Sequence, residues 1–304
     1  MSEPLRIVSL LPSATEIAVA LGLQDNLVGR SHECDFPSAV KALPVCTSTK
    51  LEKGLSSQAI EDRVKAIVEK GLSVYDVDAA LLKSLRPDVI LTQAQCAVCA
   101  VTPADLEEAL ATWVGAPPVL VSLAPDDLAD VFGDLHRVAV AAGVPERAPE
   151  AVARMKAGLG ALPAAPRARP KMLAVEWMEP LMVAGNWVPE LITAAGADPL
   201  LADPGMHSHW IEFGSIAAAD PEIIALMPCG YQLAQTLPEA RALLAQPRWQ
   251  GLRAVRDGRV FAVDGHHLFN RPGPRLVESA EVLACLIHTP DAVPERLHPF
   301  IARL

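Results

Sequence analysis

Four residues of types that bind soft metal ions lie in two loops of the first half of the chain. The first loop carries His32 and Cys34, and the second carries Cys96 and Cys99 with two residues between the thiols. Zinc and other thiophilic metals prefer thiolate and imidazole ligands, and a tetrahedral site needs four of them. The set therefore predicts a metal site. Because the neighbours of Cys96 and Cys99 are small and apolar, inert packing of these thiols stays an open alternative.

Two further kinds of chemistry fit the same loops. A metal-dependent enzyme would find an acid or base in Glu33 or Asp35, which flank Cys34. A thiol redox role is the other alternative, because Cys96 and Cys99 directly precede a predicted helix, whose N-terminal dipole favours the thiolate. The second alternative ranks lowest, since no thioredoxin-like pattern accompanies the two thiols.

The loops of the second half are rich in aromatic residues and histidines. Trp177, Trp187 and Trp210 are three of the five tryptophans, and His207 and His209 lie just before the last of them. Such residues give a large planar ligand broad, rigid contact area, and either histidine is suited to ligate cobalt, iron or zinc. Trp177 and Trp187 are equally compatible with core positions.

A segment near the end of the chain, residues 264–275, follows a predicted strand and leads into the last predicted helix. It contains Phe269, a further aromatic residue, and Arg271. An arginine in this position either binds a ligand carboxylate or holds the turn in place. The sequence leaves both readings open.

Short apolar runs that alternate with amphipathic helical patterns position all these loops. This alternation is typical of parallel sheets with crossover helices, in which ligands lie beyond the carboxyl ends of the strands. Ser13 and Glu16 have the spacing of a capping box at the first helix. The strands are predicted at residues 5–10, 27–29, 88–92, 118–122, 172–176, 223–227 and 259–263. Further helices are predicted at residues 57–71, 103–114, 125–142, 150–162, 188–195, 238–245 and 273–287.

An Ala-rich stretch followed by three prolines interrupts this alternation in the middle of the chain. We interpret it as a long helix with a stiff exit. The predicted organisation is an N-terminal α/β lobe at 1–144, a connecting helix at 145–169 and a C-terminal α/β lobe at 170–304. The fold class is thus α/β, with two Rossmann-like lobes joined by a single long helix.

Composition excludes several classes of protein. The 304 residues carry a net charge of −10, so a surface for nucleic acid or anionic membranes would oppose the protein's own field. No apolar run reaches the ~18 residues of a membrane-spanning helix. Gly-rich nucleotide loops and the G-x-S-x-G and H-E-x-x-H motifs are absent from the sequence. The opening residues lack the pattern of an export signal, and we expect a cytoplasmic protein.

Five segments spread over the chain resemble the cobalamin-binding substrate-binding proteins of ABC importers, within the iron-siderophore, haem and cobalamin binding superfamily. They are RIVSLLPSATE at 6–16, LRPDVI at 85–90, AGNWVPELI at 184–192, ADPEII at 219–224 and NRPGPRLV at 270–277. The resemblance implies two α/β lobes joined by a long rigid helix, with a ligand cleft between the lobes. It also implies a small-molecule ligand, cobalamin or a related corrinoid or tetrapyrrole, and an ABC permease as the conceivable partner.

In the resembled family, aromatic side chains of both lobes flank the corrinoid. The first lobe here offers His32, Cys34, Gln95, Cys96 and Cys99 instead, which is consistent with a branch that handles a corrinoid or a metal without serving an importer. A binding protein is therefore expected rather than an enzyme. The predicted ligand-binding residues are Ser13, His32, Glu33, Gln95, Trp177, Trp187, His207, His209, Trp210, Phe269 and Arg271. The predicted metal ligands, for zinc or another thiophilic ion, are His32, Cys34, Cys96 and Cys99.

Overall fold

The chain folds into two α/β units, as seen in a computed structural model that describes residues 4–51, 55–68, 74–93, 106, 113 and 117–304. The first unit comprises Met1–Leu55, Ala59–Pro125 and Ala129–Arg154. The second unit comprises Ser56–Gln58, Asp126–Leu128 and Met155–Leu304. The predicted α/β class with two lobes is confirmed.

The first unit is built on a parallel sheet of four strands in the order β2-β1-β5-β6, with a separate antiparallel pair, β3 and β4. The strands are β1 Ile7–Ser9, β2 Leu27–Arg30, β3 Thr47–Thr49, β4 Tyr75–Val77, β5 Val89–Gln93 and β6 Val119–Leu123. Strands β1 and β5 are buried along their whole length, as expected for parallel strands covered on both faces.

Helices cover this sheet, and apolar side chains such as Val8, Leu82 and Ile90 form one of its cores. The α-helices described are α1 Pro12–Ala20, α2 Ser57–Val68, α3 Ala79–Leu85, α4 Leu128–Ala141 and α5 Ala148–Gly160, which runs on into the second unit. The helix predicted at 103–114 falls almost wholly outside the described residues.

The capping box predicted for Ser13 and Glu16 is wrong. Helix α1 begins at Pro12, two residues before the start that a Ser13 N-cap implies, and Leu11 occupies the N-cap position without a side-chain cap. Proline is favoured at the first helical position because its fixed φ suits the helix and its missing N–H is not needed there. Ser13 consequently lies inside the first turn of the helix, where it is buried.

The second unit is built on a mixed sheet in the order β10-β8-β7-β11-β12-β13, with β9 also pairing with β7. Strands β7, β11 and β12 are parallel, and β8, β10 and β13 are added antiparallel. The strands are β7 Lys171–Met178, β8 Leu181–Val183, β9 Asp198–Pro199, β10 His209–Trp210, β11 Ile223–Leu226, β12 Val260–Val263 and β13 Ile301–Arg303.

The helices of this unit pack on the sheet around a core that includes Leu173, Ile216 and Trp249. They are α6 Val188–Ala195, α7 Phe213–Ala219, α8 Leu233–Leu244, α9 Pro247–Gln250, α10 Arg253–Arg256 and α11 Leu276–His288. Helix α8 begins five residues before the predicted start at Pro238. Its first turn is stabilised instead by Gln235, whose side chain accepts from the Gln232 N–H at 3.2 Å.

Every helix within the described ranges is too short or too polar to cross a membrane.

Candidate functional site

In the first unit, the loop after β2 places His32 in a fixed orientation. The Thr47 hydroxyl lies 2.8 Å from His32 Nδ1, accepts the His32 backbone N–H at 3.1 Å and donates to Ser31 Oγ at 3.2 Å. The contacts with Thr47 hold the imidazole of His32 in one orientation. The ring also lies near Tyr75, with 5.7 Å between the centroids.

Of the other residues predicted in this loop and in the metal cluster, some are buried or half-buried and some lie outside the described part of the chain. Cys34 is buried, where Thr15 Oγ1 donates to its sulfur at 3.0 Å. Glu33 is half-buried in the same loop, and its backbone N–H donates to Ser31 Oγ. The predicted residues Gln95, Cys96 and Cys99 lie outside the described part of the chain. Among described residues, no group of three metal-ligating side chains includes His32 or Cys34, so the four-ligand site stays a prediction.

In the second unit, three neighbouring strands align a row of large side chains. Trp177 of β7 pairs with Met182 of β8, and Met182 pairs in turn with Trp210 of β10. Residues opposite each other on adjacent strands share one face of a sheet. Tyr231, from the loop after β11, extends the row through an edge-to-face contact with Trp177 at 5.6 Å. We call these four residues the aromatic row.

The aromatic row is graded in exposure. Trp177 is only 7% exposed, Met182 is half-buried, and Trp210 at the sheet edge is 51% exposed. A β-bulge between Val175 and Trp177 produces this arrangement, because the inserted residue turns Trp177 away from the core side on which Val175 lies. The open end of the row therefore presents an indole to solvent.

The segment 203–210, which carries His207, His209 and Trp210, lies directly against the turn after β8. Asn186 N–H donates to Met206 O at 2.6 Å, and Gly205 N–H donates to Asn186 O at 3.0 Å. A Cβ at Gly185 would lie only 2.2 Å from Met206 O, so only glycine permits this approach. His207 is exposed and His209 is half-buried.

Glu176 connects this segment to the last loop of the unit. The Ser208 hydroxyl donates to one carboxylate oxygen of Glu176, and Asn270 Nδ2 donates to the other at 3.4 Å. Ser208 Oγ in addition accepts the Gly185 N–H at 3.0 Å. Glu176, at the end of β7, thus fixes two loops at the same edge of the sheet.

Three nitrogen atoms at this edge are buried without a hydrogen-bond partner among the described residues. They are Trp177 Nε1, Asn186 Nδ2 and His209 Nδ1. A buried N–H without an acceptor costs about 1–3 kcal/mol. Trp177 Nε1–H and the Asn186 amide therefore lack an acceptor among the described residues.

The remaining predicted residues of this unit lie inside it. Trp187 is buried and its Nε1–H donates to Phe269 O at 2.9 Å, while the Phe269 ring is fully buried. Arg271 is 2% exposed, and its Nε donates to His266 O at 2.8 Å. These contacts make the three residues supports of the last loop in this structure, with Trp210 and the loop histidines nearer to solvent.

The π-turn Gly265–Phe269 after β12 contains a carboxylate–histidine pair. Asp264 accepts from the backbone N–H of His267 at 2.8 Å and from its Nδ1 at 2.9 Å. Asp264 also accepts the Leu233 N–H at the start of α8, at 3.3 Å. Burial opposes ionisation of Asp264, but the hydrogen bonds from His267 and Leu233 outweigh it and hold the pKa of this carboxyl below its usual value. Asp264 is thus an anion at neutral pH.

Five residues of this edge were not among the predicted site residues: Glu176, Met182, Tyr231, Asp264 and His267. Asp264 directly follows β12, Glu176 ends the strand predicted at 172–176, and Tyr231 and His267 lie in the loops after β11 and β12, so loops beyond strand ends were a signal for these four. Met182 gave no such signal, because β8 and β10 are too short to show a periodic pattern.

The comparisons place the chain in a family. The family described as "Periplasmic binding protein" matches residues 7–266, and the chain belongs to it. The uncharacterized ABC transporter substrate-binding lipoprotein YvrC of Bacillus subtilis is 26% identical over 299 residues, which are 96% of this chain and 82% of YvrC.

Two solved structures show the same fold. The periplasmic heme-binding protein RhuT from Roseiflexus sp. RS-1, in apo form, is similar with a TM-score of 0.66 at 24% identity, covering 94% of this chain and 98% of RhuT. The periplasmic vitamin B12 binding protein BtuF of Vibrio cholerae is similar with a TM-score of 0.59 at 18% identity, covering 93% of this chain and 96% of BtuF.

Proposed function

We propose that this chain is a substrate-binding protein that holds cobalamin or a related corrinoid, and that an ABC permease is its partner. The aromatic row is the observation that carries the proposal. Trp210 is half-exposed at the end of the row and Met182 next to it is half-buried, and apolar and aromatic side chains of this kind suit the face of a large planar ligand.

Two buried donors without an acceptor at this edge support a corrinoid as the ligand. Trp177 Nε1 and Asn186 Nδ2 are donors on two separate segments, and neither has an acceptor among the described residues. A corrinoid carries amide carbonyls around its whole ring, whereas a haem carries its acceptors only on two propionates. Two donors on separate segments are matched by acceptors spread around a ring, whereas on haem both would have to reach the propionate edge. The names of RhuT and BtuF add that this fold is used for tetrapyrrole-type ligands.

Titration with hydroxocobalamin tests the proposal. We expect saturable quenching of tryptophan fluorescence, because the half-exposed Trp210 would lie in contact with the corrinoid and Trp177 two strands away would lie near it. Trp210→Ala should weaken binding by about 5–10-fold, corresponding to the roughly 1 kcal/mol of one aromatic contact. Trp210→Phe is the matched control, since it keeps a ring in the row and should bind nearly as tightly as the wild type.

Hemin titrated in parallel decides between the two tetrapyrroles. Tighter binding of hemin than of hydroxocobalamin would contradict the corrinoid assignment. Absence of saturable quenching by either molecule would refute the proposed function altogether.

A further inference from the structure

The Asp264–His267 pair gives one imidazole a defined tautomer. The Asp264 carboxylate can only accept, so the His267 nitrogen that lies 2.9 Å from it, Nδ1, carries the proton. In the neutral imidazole, Nε2 then carries the lone pair. This is the arrangement by which proteins orient a histidine that binds a metal and raise its basicity.

The neighbouring histidine is arranged in the opposite way. Arg271 Nη2 lies 2.9 Å from His266 Nε2, and a guanidinium can only donate, so His266 uses its Nε2 lone pair to accept from Arg271. The two imidazoles are in edge-to-face contact, with 4.7 Å between the centroids. Of this pair, only His267 contacts a carboxylate through Nδ1, and that contact orients the ring and its Nε2.

The other histidines of the same edge lack this support. His207 Nδ1 lies 2.9 Å from Ser208 O, and the side chain is exposed on the segment 203–210. His209 Nδ1 has no hydrogen-bond partner among the described residues. His267 in contrast lies on a turn held by Gly265, where a Cβ would be 2.3 Å from Pro228 O, and its side chain is 24% exposed.

We propose that His267 Nε2 coordinates the cobalt of the bound corrinoid at its exchangeable axial position, with Asp264 as the residue that positions the imidazole. This inference rests on the proposed function and deepens it, because it selects corrinoids whose axial ligand can leave. In the exchange, the hydroxide of hydroxocobalamin takes a proton from solvent and leaves the cobalt as water, and Nε2 donates its lone pair to the vacated position. The oxidation state of cobalt does not change, and Nε2 gives up whatever hydrogen bond it makes in the ligand-free protein.

Visible spectroscopy of the full chain tests this assignment. With hydroxocobalamin, the wild type should quench tryptophan fluorescence and shift the corrinoid bands to the positions that free imidazole produces. With cyanocobalamin, whose cyanide exchanges far more slowly, the bands should stay in place. His267→Gln should keep the quenching and lose the shift. His136→Gln, on the exposed face of α4, is the matched control and should behave like the wild type.

The two readouts separate the two claims. Quenching without a band shift in the wild type, or a shift that persists in His267→Gln, would overturn the role of His267 and leave the proposed function intact. A shift that disappears in His32→Gln but not in His267→Gln would do the same. Absence of quenching in the wild type would refute the proposed function and this inference with it. The comparison of hydroxocobalamin with cyanocobalamin needs no variant. It therefore tests whether the protein replaces the axial ligand of cobalt even if His267→Gln fails to fold.

Discussion

Replacing Gly185 by alanine should displace the segment that carries Trp210. The new Cβ would lie 2.2 Å from Met206 O, 2.6 Å from Ser208 N and 2.8 Å from the carbonyl carbon of His207. All three atoms belong to the backbone, so no side-chain rotation relieves the clash. The segment 203–210 must therefore move away from the turn after β8.

The expected loss in the free energy of unfolding follows from the steric clash and from the hydrogen bonds that the displacement breaks. Overpacking at a close contact costs about 1–3 kcal/mol. The hydrogen bonds from Asn186 N–H to Met206 O and from Gly185 N–H to Ser208 Oγ add about 1 kcal/mol each. Alanine returns up to about 1 kcal/mol by restricting the unfolded chain. We expect a net loss of roughly 2–4 kcal/mol in the free energy of unfolding of the second unit.

Urea denaturation followed by tryptophan fluorescence measures this loss, and the hydroxocobalamin titration measures its effect on binding. Gly214→Ala is the matched control, because nothing lies within 4 Å of a Cβ there and the residue is helical. That variant should be as stable as the wild type or slightly more stable. If Gly185→Ala unfolds at the same urea concentration as the wild type and Gly214→Ala, the close approach of segment 203–210 to the turn after β8 is refuted.

The other predictions concern single side chains. Glu176→Gln should weaken the attachment of Ser208 and Asn270 by about 1–2 kcal/mol, seen as faster hydrogen exchange in the segment 203–210; unchanged exchange would contradict the role of Glu176. Burial raises the pKa of Asp134 to about 6, so the folded chain binds an extra proton between pH 4 and 6, and this residue lowers stability by about 3 kcal/mol as the pH rises through that range. Asp134→Asn should therefore gain stability relative to the wild type at pH 7 but not at pH 4, and an equal difference at both pH values would contradict this. Burial raises the pKa of the Cys46 thiol to about 11, so iodoacetamide at pH 8 should label it only after unfolding, as peptide mass spectrometry would show.

Sequence patterns were sufficient to predict the bounds of helices and strands whose signals lie within the element or next to it. Helix α6, Val188–Ala195, has the predicted bounds, and strand β11 ends one residue earlier than predicted. A proline near the first helical position and a glycine after the last residue mark α6 on both sides. Long buried β-branched runs mark the parallel strands in the same way.

Long-range contacts explain what the sequence did not show. The start of α8 depends on Asp264, more than 30 positions away, which accepts the Leu233 N–H. The aromatic row depends on the pairing of β7, β8 and β10, and the last two strands contain only three and two residues. His267 was one of two adjacent histidines, and only the contacts with Asp264 and Arg271 distinguish them.

Hydrogen exchange with and without hydroxocobalamin would show whether the second unit binds the corrinoid, because it locates the ligand on the chain. We expect saturable binding with protection concentrated in the candidate edge of the second unit, at residues 176–187, 203–210 and 264–271. No binding, or protection that spares all three segments, would contradict it.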